Sequence, residues 1–489
     1  MTSQETITMP AETQPERYRP VDEILNEVQS AVPELLNTLK PSDAAEQRRA
    51  FLADEIDEPQ PSYDKLMSID FETVDEQLKN LGQELQDHPD VDEKYKPQYA
   101  EFITYRRKLN QFLGVRKILE TKVDETNPKV AWAASVAKSI ALRTYEQLNK
   151  ELFGEVDKAT TYALLSNELA NLKVDKDDAD GNRILAELRA LVAQEALKKL
   201  PLPYEKDEAT FEAVKKVVTA LYGDMLDRDI PKGEEHKDKI YTPEEVHAVL
   251  RNIVREFGVL KENVDIYREE GVKQTFLVNP DGWEVRVVDQ KGLSVDAKHK
   301  LIKVSPTIEL DPVKFRGLVV HELGVHMMRA ILGGQTNFLP LEIGMAGHMP
   351  TEEGTASVLQ QAEVGVFEIA GAGHAITDGL LAIHKSTRKT FEIKWLLEAL
   401  KKLKAGEQIT SAGIKKARDV AYTATYRLAK GNGKYHVSKD LAYYNGSKIM
   451  WEYFRGFGGD EFTTYLALMG KLNPTDKDQV ITATETKAA

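Results

Sequence analysis

Apolar residues recur at helical spacing in long segments over most of the 489-residue chain. Residues three or four positions apart share one face of an α-helix, and an apolar face has to be buried against other elements. The first half of the chain therefore predicts packed helices over 21–40, 74–85, 99–122, 130–153, 184–200 and 209–226. Residues 1–20 hold few large apolar side chains and predict a disordered leader.

Between 264 and 304 the sequence favours strands instead. β-branched and aromatic residues are frequent in the segments 264–267, 275–278, 283–288 and 301–304. An Asn-Pro-Asp-Gly turn at 279–282 separates two of these segments and predicts a hairpin, so we expect a small antiparallel β element at about 264–288. Helical spacing resumes at 313 and continues to about 472. The predicted fold class is mainly α (α+β).

The composition limits the kinds of site and partner that are possible. The chain has no cysteine, so a transition metal would have to be held by His, Asp or Glu. The formal net charge of -14 argues against nucleic acid and anionic membranes as main partners. The N-terminus lacks a signal-peptide pattern, and no uncharged apolar run reaches about 18 residues. We expect a cytoplasmic protein without a membrane partner, and the sequence leaves the oligomeric state open.

The segment 321–326, which reads HELGVH, contains the parts of a metal hydrolase site. Zinc hydrolases use imidazole and carboxylate ligands together with a nearby general base. His321 and His326 are five positions apart, however, and five steps of an α-helix leave the second ring about 140° away from the first. A π-type turn would restore the alignment, and Gly324 lowers the cost of that distortion because it has no side chain. We therefore predict a π-type turn around 322–326.

A third ligand has to come from elsewhere in the chain. The downstream candidates are Glu342, His348, Glu352, Glu353 and Glu363. Glu352 and Glu353 precede an apolar helical pattern, where carboxylates are also favoured by the helix dipole without any metal. Spacing alone does not choose between them.

The motif HELGVH, followed by TEEGTA at 351–356, resembles a known family. The family includes the microtubule-associated tyrosine carboxypeptidases and bacterial proteins known by a QEGLA-type motif. In that family an HExxxH motif is followed by a Glu-Gly pair whose Glu is the third zinc ligand. The resemblance implies one Zn²⁺ held by His321, His326 and Glu353, with Glu322 as the catalytic base, in a helical zincin-like domain.

Other segments strengthen the resemblance. Arg329 stands three residues after the second His, as in the family, and 438–446 resembles its C-terminal Lys-Asp...Tyr...Gly motif. The likeness covers about 245–456 and extends more weakly over 60–240. Val325 and Thr355 replace the Thr and the Leu that are usual in the two motifs. These departures concern the substrate pocket and leave the implied ligands and base in place.

A carboxypeptidase also needs groups that hold the terminal carboxylate of its substrate. An Arg side chain suits this task because its fork can bind a carboxylate at two points. The candidate substrate-binding residues are Arg329, Arg427, Lys439 and Tyr443. Glu352 and Asp440 are expected to orient a ligand imidazole, as carboxylates beside metal sites commonly do.

The resemblance implies a zinc carboxypeptidase that acts on the C-terminus of a peptide or protein, with an aromatic last residue among the expected preferences. Two alternatives remain open. A zinc aminopeptidase or dipeptidyl peptidase would trim the other end, since a dipeptidyl peptidase family also uses HExxxH with a later Glu pair. A non-catalytic helical scaffold would carry a degenerate metal site.

The predicted organisation has four parts. The disordered leader at 1–20 is followed by a helical N-terminal region at 21–240. A catalytic domain with the β hairpin spans 241–472, and a flexible tail spans 473–489.

Overall fold

The structure is a computed structural model that describes residues 18–123, 126–172, 174–198, 200–202, 205–236, 238–267, 273–368, 370–404 and 410–486. Helix accounts for 69% of it, which confirms the mainly α fold class. Most of the predicted disordered leader lies outside the described residues. In its last part, the Arg19 guanidinium forms ion pairs with Glu27 and Glu84.

Each predicted segment before the strands contains a helix. The helices of this part are α1 (Val21–Ala31), α2 (Leu35–Thr38), α3 (Ala44–Leu52), α4 (Asp64–Ser68), α5 (Phe71–Asp87), α6 (Lys96–Glu120), α7 (Pro128–Phe153), α8 (Lys158–Asn171), α9 (Ala179–Leu191), α10 (Glu208–Asp229) and α11 (Pro243–Glu256). Of these, α3, α4 and α8 form where no helix was predicted. The segment 21–40 is two helices rather than one because Pro33 lies inside it. Proline lacks a backbone N–H and forces the preceding residue to extend, as Val32 does.

Five strands form two small sheets, β1 (Glu262–Tyr267), β2 (Lys273–Val278), β3 (Glu284–Val287), β4 (Leu293–Asp296) and β5 (Leu301–Val304). The predicted hairpin between the segments at 275–278 and 283–288 is wrong. β2 pairs with β1, whereas β3 runs parallel to β5, which also pairs antiparallel with β4. The turn at 279–282 redirects the chain because Trp283 donates its backbone N–H to Val259 and buries its ring in the core.

The helices after the strands begin with one continuous helical rod, 312–334. They are α12 (Pro312–Val319), α13 (Met328–Gly334), α14 (Pro340–Ile343), α15 (His348–Val364), α16 (Ala372–His384), α17 (Thr387–Lys404), α18 (Ser411–Ala429), α19 (Leu441–Phe457), α20 (Glu461–Leu468) and α21 (Lys477–Glu485). A π-helical segment, Val320–Met327, joins α12 to α13 without interruption. No helix in the described part of the chain combines the length and the apolar character needed to cross a bilayer.

The boundary predicted near 240 does not separate two hydrophobic cores. The core around the π-helical segment contains side chains of α10 and α11 together with those of α15 and α19. Other cores join early and late helices in the same way, since Tyr145 packs in one cluster with Val437 and Leu188 in another with Leu380. The N-terminal helices therefore support the C-terminal part directly.

The flexible tail predicted at 473–489 contains a packed helix, so this prediction is wrong over α21. Asp476 caps the helix by accepting hydrogen bonds from the N–H groups of Asp478 and Gln479. The Gln479 side chain is buried and donates to the carbonyl of Ala346. The sequence predicts flexibility because the segment is polar. In the structure some of these polar side chains bind backbone groups, which holds the segment in place.

Helices α15 and α19 cross with their backbones in contact. A Cβ on Gly354 would lie 2.1 Å from the carbonyl oxygen of Gly446, and one on Gly446 would lie 1.8 Å from that of Pro350. Neither distance is possible for real atoms, so both positions require glycine. The crossing fixes the first turns of α15 beside the first turns of α19.

We expect Gly446→Ala to lower the free energy of unfolding by about 1–3 kcal/mol, because the added methyl overpacks a backbone contact. Gly456→Ala is the matched control, since it lies on the same helix and has no atom within 4 Å of the added Cβ. That control should keep or gain stability, because Ala favours a helix over Gly by about 1 kcal/mol. Urea unfolding measures both, and equal effects would contradict the close crossing.

Candidate metal centre

The π-helical segment brings the two histidine rings of the HELGVH motif together. Their centroids are 5.0 Å apart, and the wide turn confirms the prediction made from the five-residue spacing. Tyr222 of α10 stabilises the turn by donating its hydroxyl to the carbonyl of Gly324 at 2.9 Å. A Cβ on Gly324 would lie 3.0 Å from the Tyr222 ring, so the glycine also makes room for this contact.

Glu353 completes a group of three donors that could hold a metal ion. Its Oε2 lies 3.8 Å from Nε2 of His321 and 3.7 Å from Nε2 of His326. This oxygen is buried and receives no hydrogen bond from any described residue. A buried carboxylate oxygen without a donor is costly, and a cation between the three atoms would satisfy it. The residues present therefore fit a metal ion, and the geometry selects Glu353 rather than Glu352 as the third donor.

Both imidazoles are oriented by hydrogen bonds on the side opposite Glu353. Nδ1 of His326 lies 2.9 Å from Oε1 of Glu352, and Nδ1 of His321 lies 2.8 Å from Oε1 of Gln360. An oxygen acceptor at Nδ1 fixes the proton there and leaves the Nε2 lone pair free to bind a metal. Glu352 thus lies where it could orient the His326 ring, as expected from the sequence.

Gln360 was missed by the sequence analysis, although a signal was present. It stands seven residues after Glu353 on the same helix, and seven residues are close to two full turns. The two side chains therefore share the face of α15 that meets the π-helical segment. His348, another candidate donor from the sequence, lies 3.8 Å from Glu352 rather than in the donor group.

The two histidines have different pKa values because their surroundings differ. Burial lowers the pKa of His321 to about 3. Burial also lowers the pKa of His326, but the hydrogen bond that Nδ1 donates to Glu352 and the charge of Glu353 outweigh it and raise the pKa to about 9. Burial likewise acts to raise the pKa of Glu352, yet Lys471 and His326 hold it well below its ordinary value. A metal at Nε2 would displace a proton from His326.

Glu322 lies in the same wide turn as the two histidines. Burial raises the pKa of its carboxyl group to about 7, and the backbone N–H of Val295 in β4 donates to it. A carboxyl group whose pKa is near neutrality can both accept and return a proton. Glu322 is therefore a buried carboxyl group next to the donor residues, with its protonated form favoured by burial.

Arg329 does not have its predicted role as a substrate-binding residue. Its side chain is fully buried, where Nε donates to the carbonyl of Gly470 at 2.7 Å and Nη2 donates to that of Leu472. The side chain lies close enough to Glu352 for the two charges to interact, and it points towards the backbone of 470–472. Arg329 ties the rod to the segment that precedes α21.

Asp440 does not orient an imidazole, so this prediction is also wrong. Its carboxylate instead accepts two hydrogen bonds from Arg427, at 2.5 Å from Nε and 3.0 Å from Nη2. Asp440 lies at the start of α19, and this end of the helix faces α18 rather than the π-helical segment.

The other predicted substrate-binding residues lie beside Glu353. Tyr443 is close enough to affect the pKa of Glu353 and that of Arg427. Burial raises the pKa of Glu353, whereas His326, Lys439 and Tyr443 act in the opposite direction. The structure thus places Lys439 and Tyr443 near Glu353, and Arg427 near Tyr443.

Comparison of the chain with models of protein families, with curated proteins and with solved structures finds no match.

We expect Glu353→Gln to lower metal affinity more than any change to the carboxylates around it, because it removes a ligand charge. Glu352→Gln should lower metal affinity by about 10- to 100-fold, as the loss of an orienting partner does. Competition with a chromogenic chelator measures both. A larger loss in Glu352→Gln than in Glu353→Gln would mean that the third ligand is assigned to the wrong residue.

Proposed function

We propose that this protein is a zinc-dependent metallocarboxypeptidase that removes a residue from the C-terminus of a peptide or protein. The proposal depends on one observation above all. The wide turn places two imidazole nitrogens opposite the donor-free Oε2 of Glu353, and it carries Glu322 beside them. The resemblance of HELGVH and 438–446 to the tyrosine carboxypeptidase family supports the same activity.

Zinc is the ion that we propose for the donor group. Two imidazoles and one carboxylate, without thiolate, are a ligand set that catalytic zinc sites use, and these sites keep a further position open. His321, His326 and Glu353 would hold the ion, which when bound lowers the pKa of a water molecule and polarises a carbonyl group. Between 12% and 21% of each of these side chains is exposed, although the Glu353 oxygen that faces the imidazoles is itself buried.

Glu322 would carry the proton during hydrolysis. Its carboxylate takes a proton from the attacking water and returns it to the nitrogen of the leaving amine. The backbone N–H of Val295 lies against the carboxylate, and burial favours the protonated form, which is the form that returns the proton.

The charges near Glu353 favour cleavage at the C-terminus. Arg427 and Lys439 are cations, and a substrate that ends in a free carboxylate would be attracted to them. An aminopeptidase would instead need a spare carboxylate to hold the ammonium group of its substrate. Glu352 is not spare, because it is hydrogen-bonded to His326.

We expect Glu322→Gln to keep its zinc and to lose about 10²- to 10⁴-fold in turnover, because the general base is removed while the ligands stay. The assay uses peptides blocked at one end or the other, with the released residue identified by mass spectrometry and zinc measured in the same samples.

Equal turnover in Glu322→Gln would rule out the proposed base. Release of residues from the N-terminus would establish an aminopeptidase instead. A parent protein that takes up zinc but releases nothing from any peptide would indicate a non-catalytic scaffold.

A further inference from the structure

The described residues leave the first part of α7 almost uncovered. Every side chain of 128–140 is exposed or half-buried, and burial begins only at Ala141. An isolated helix shorter than about 12–15 residues is marginally stable in water, because most helical stability in proteins comes from packing an apolar face. The segment 128–143, which we call the arm, would therefore gain stability from a surface that covers it.

The arm carries an apolar stripe with a cation at each end. Trp132, Val136 and Ile140 follow one another at four-residue spacing, so they lie on one face of the helix, and all three are exposed. Lys129 and Arg143 stand three residues before and after the stripe, and the sequence of the arm contains no Asp or Glu. Trp132 alone is 71% exposed. An exposed apolar patch of this kind marks an interaction surface.

A second apolar surface of the protein carries the opposite charge. A groove of about 720 Å³ lies between α10 and the turn that joins α19 to α20. Phe462 lines the groove and is 66% exposed. The charged side chains of the lining are three acids and one base, Glu212, Asp460, Glu461 and Lys216. We call this surface the acidic groove.

Two glycines shape the acidic groove. Gly458 and Gly459 have φ values of +87° and +61°, which let the chain turn sharply between the two helices. A Cβ on Gly459 would lie 3.2 Å from the Val214 side chain, so the turn packs closely against α10. Phe457, just before the turn, is exposed like Phe462 just after it. The turn thus presents two aromatic rings to solvent.

The charges distinguish two ways in which the arm could meet a second copy of the chain. In an antiparallel pair of arms centred on Val136, Lys129 would face Arg143 of the second copy, and like charges opposed across an interface are unfavourable. In a contact between the arm and the acidic groove, the same cations meet carboxylates and the apolar stripe meets aromatic rings. Complementarity therefore favours the arm against the groove.

We propose that this chain associates with itself head to tail, with the arm of one copy packed in the acidic groove of a second copy. Trp132 enters the groove beside Phe462, while Lys129 and Arg143 pair with the acids around it. Such a contact leaves a free arm at one end and a free groove at the other, so it continues beyond a dimer into a ring or a filament. The contact is separate from the donor group and does not depend on the proposed function.

Sedimentation velocity of the full chain at increasing protein concentration tests the contact. The parent should form assemblies larger than a dimer, and high salt should weaken them because the charges involved are exposed. Trp132→Ser and Phe462→Ser should each weaken association by about 30-fold or more, as the loss of an aromatic hot spot does. Val420→Ser, at an exposed apolar position of α18, is the matched control and should associate like the parent.

A mixture of the two variants tests the head-to-tail arrangement itself. The Trp132→Ser protein keeps its groove and the Phe462→Ser protein keeps its arm. Each variant alone should be monomeric, whereas the mixture should form a one-to-one dimer and nothing larger. Formation of that dimer also shows that both variants are folded.

A parent that stays monomeric at every concentration would overturn the proposal, and so would assemblies that survive either substitution. Dimers of Phe462→Ser, together with monomeric Trp132→Ser, would mean that the arms pair with each other. Two monomeric variants that do not combine on mixing would likewise contradict the contact between arm and groove.

Discussion

The contact between Gly354 and Gly446 determines where the side chains of the candidate centre lie. Because the backbones of α15 and α19 touch there, Glu353 and Tyr443 are held beside each other at the start of their helices. The same face of α15 carries Glu352 and Gln360 to the two imidazoles. A side chain at either glycine would separate the third donor from the cationic side of the site.

The π-helical segment supplies the other half of the centre, and its distortion is supported from outside. An i→i+5 turn is rarer than an α-helical one, and such turns are frequent at functional sites. Tyr222 stabilises it by binding the Gly324 carbonyl. That tyrosine belongs to α10, in the half of the chain without any motif. The N-terminal helices thus stabilise the geometry of the site as well as covering the core.

Much of the fold and of the donor group could be predicted from the sequence. Apolar spacing identified most of the helices, and the His321–His326 spacing required the wide turn because no α-helix could align the rings. The directions of Arg329 and Asp440 could not be predicted, since both bind groups far along the chain or on another helix. The predicted pairing of β2 with β3 was wrong for a similar reason. The turn at 279–282 suits a hairpin, but the burial of Trp283 places β3 in the other sheet.

The most direct test of the metal centre is the amount of metal bound per chain in protein purified without chelators. The parent should carry about one zinc, His326→Ala should carry none, and His236→Ala, a histidine outside the donor group, should match the parent. Zinc absent from the parent even after zinc is supplied, or equal zinc in the parent and His326→Ala, would contradict the metal centre and the function built on it.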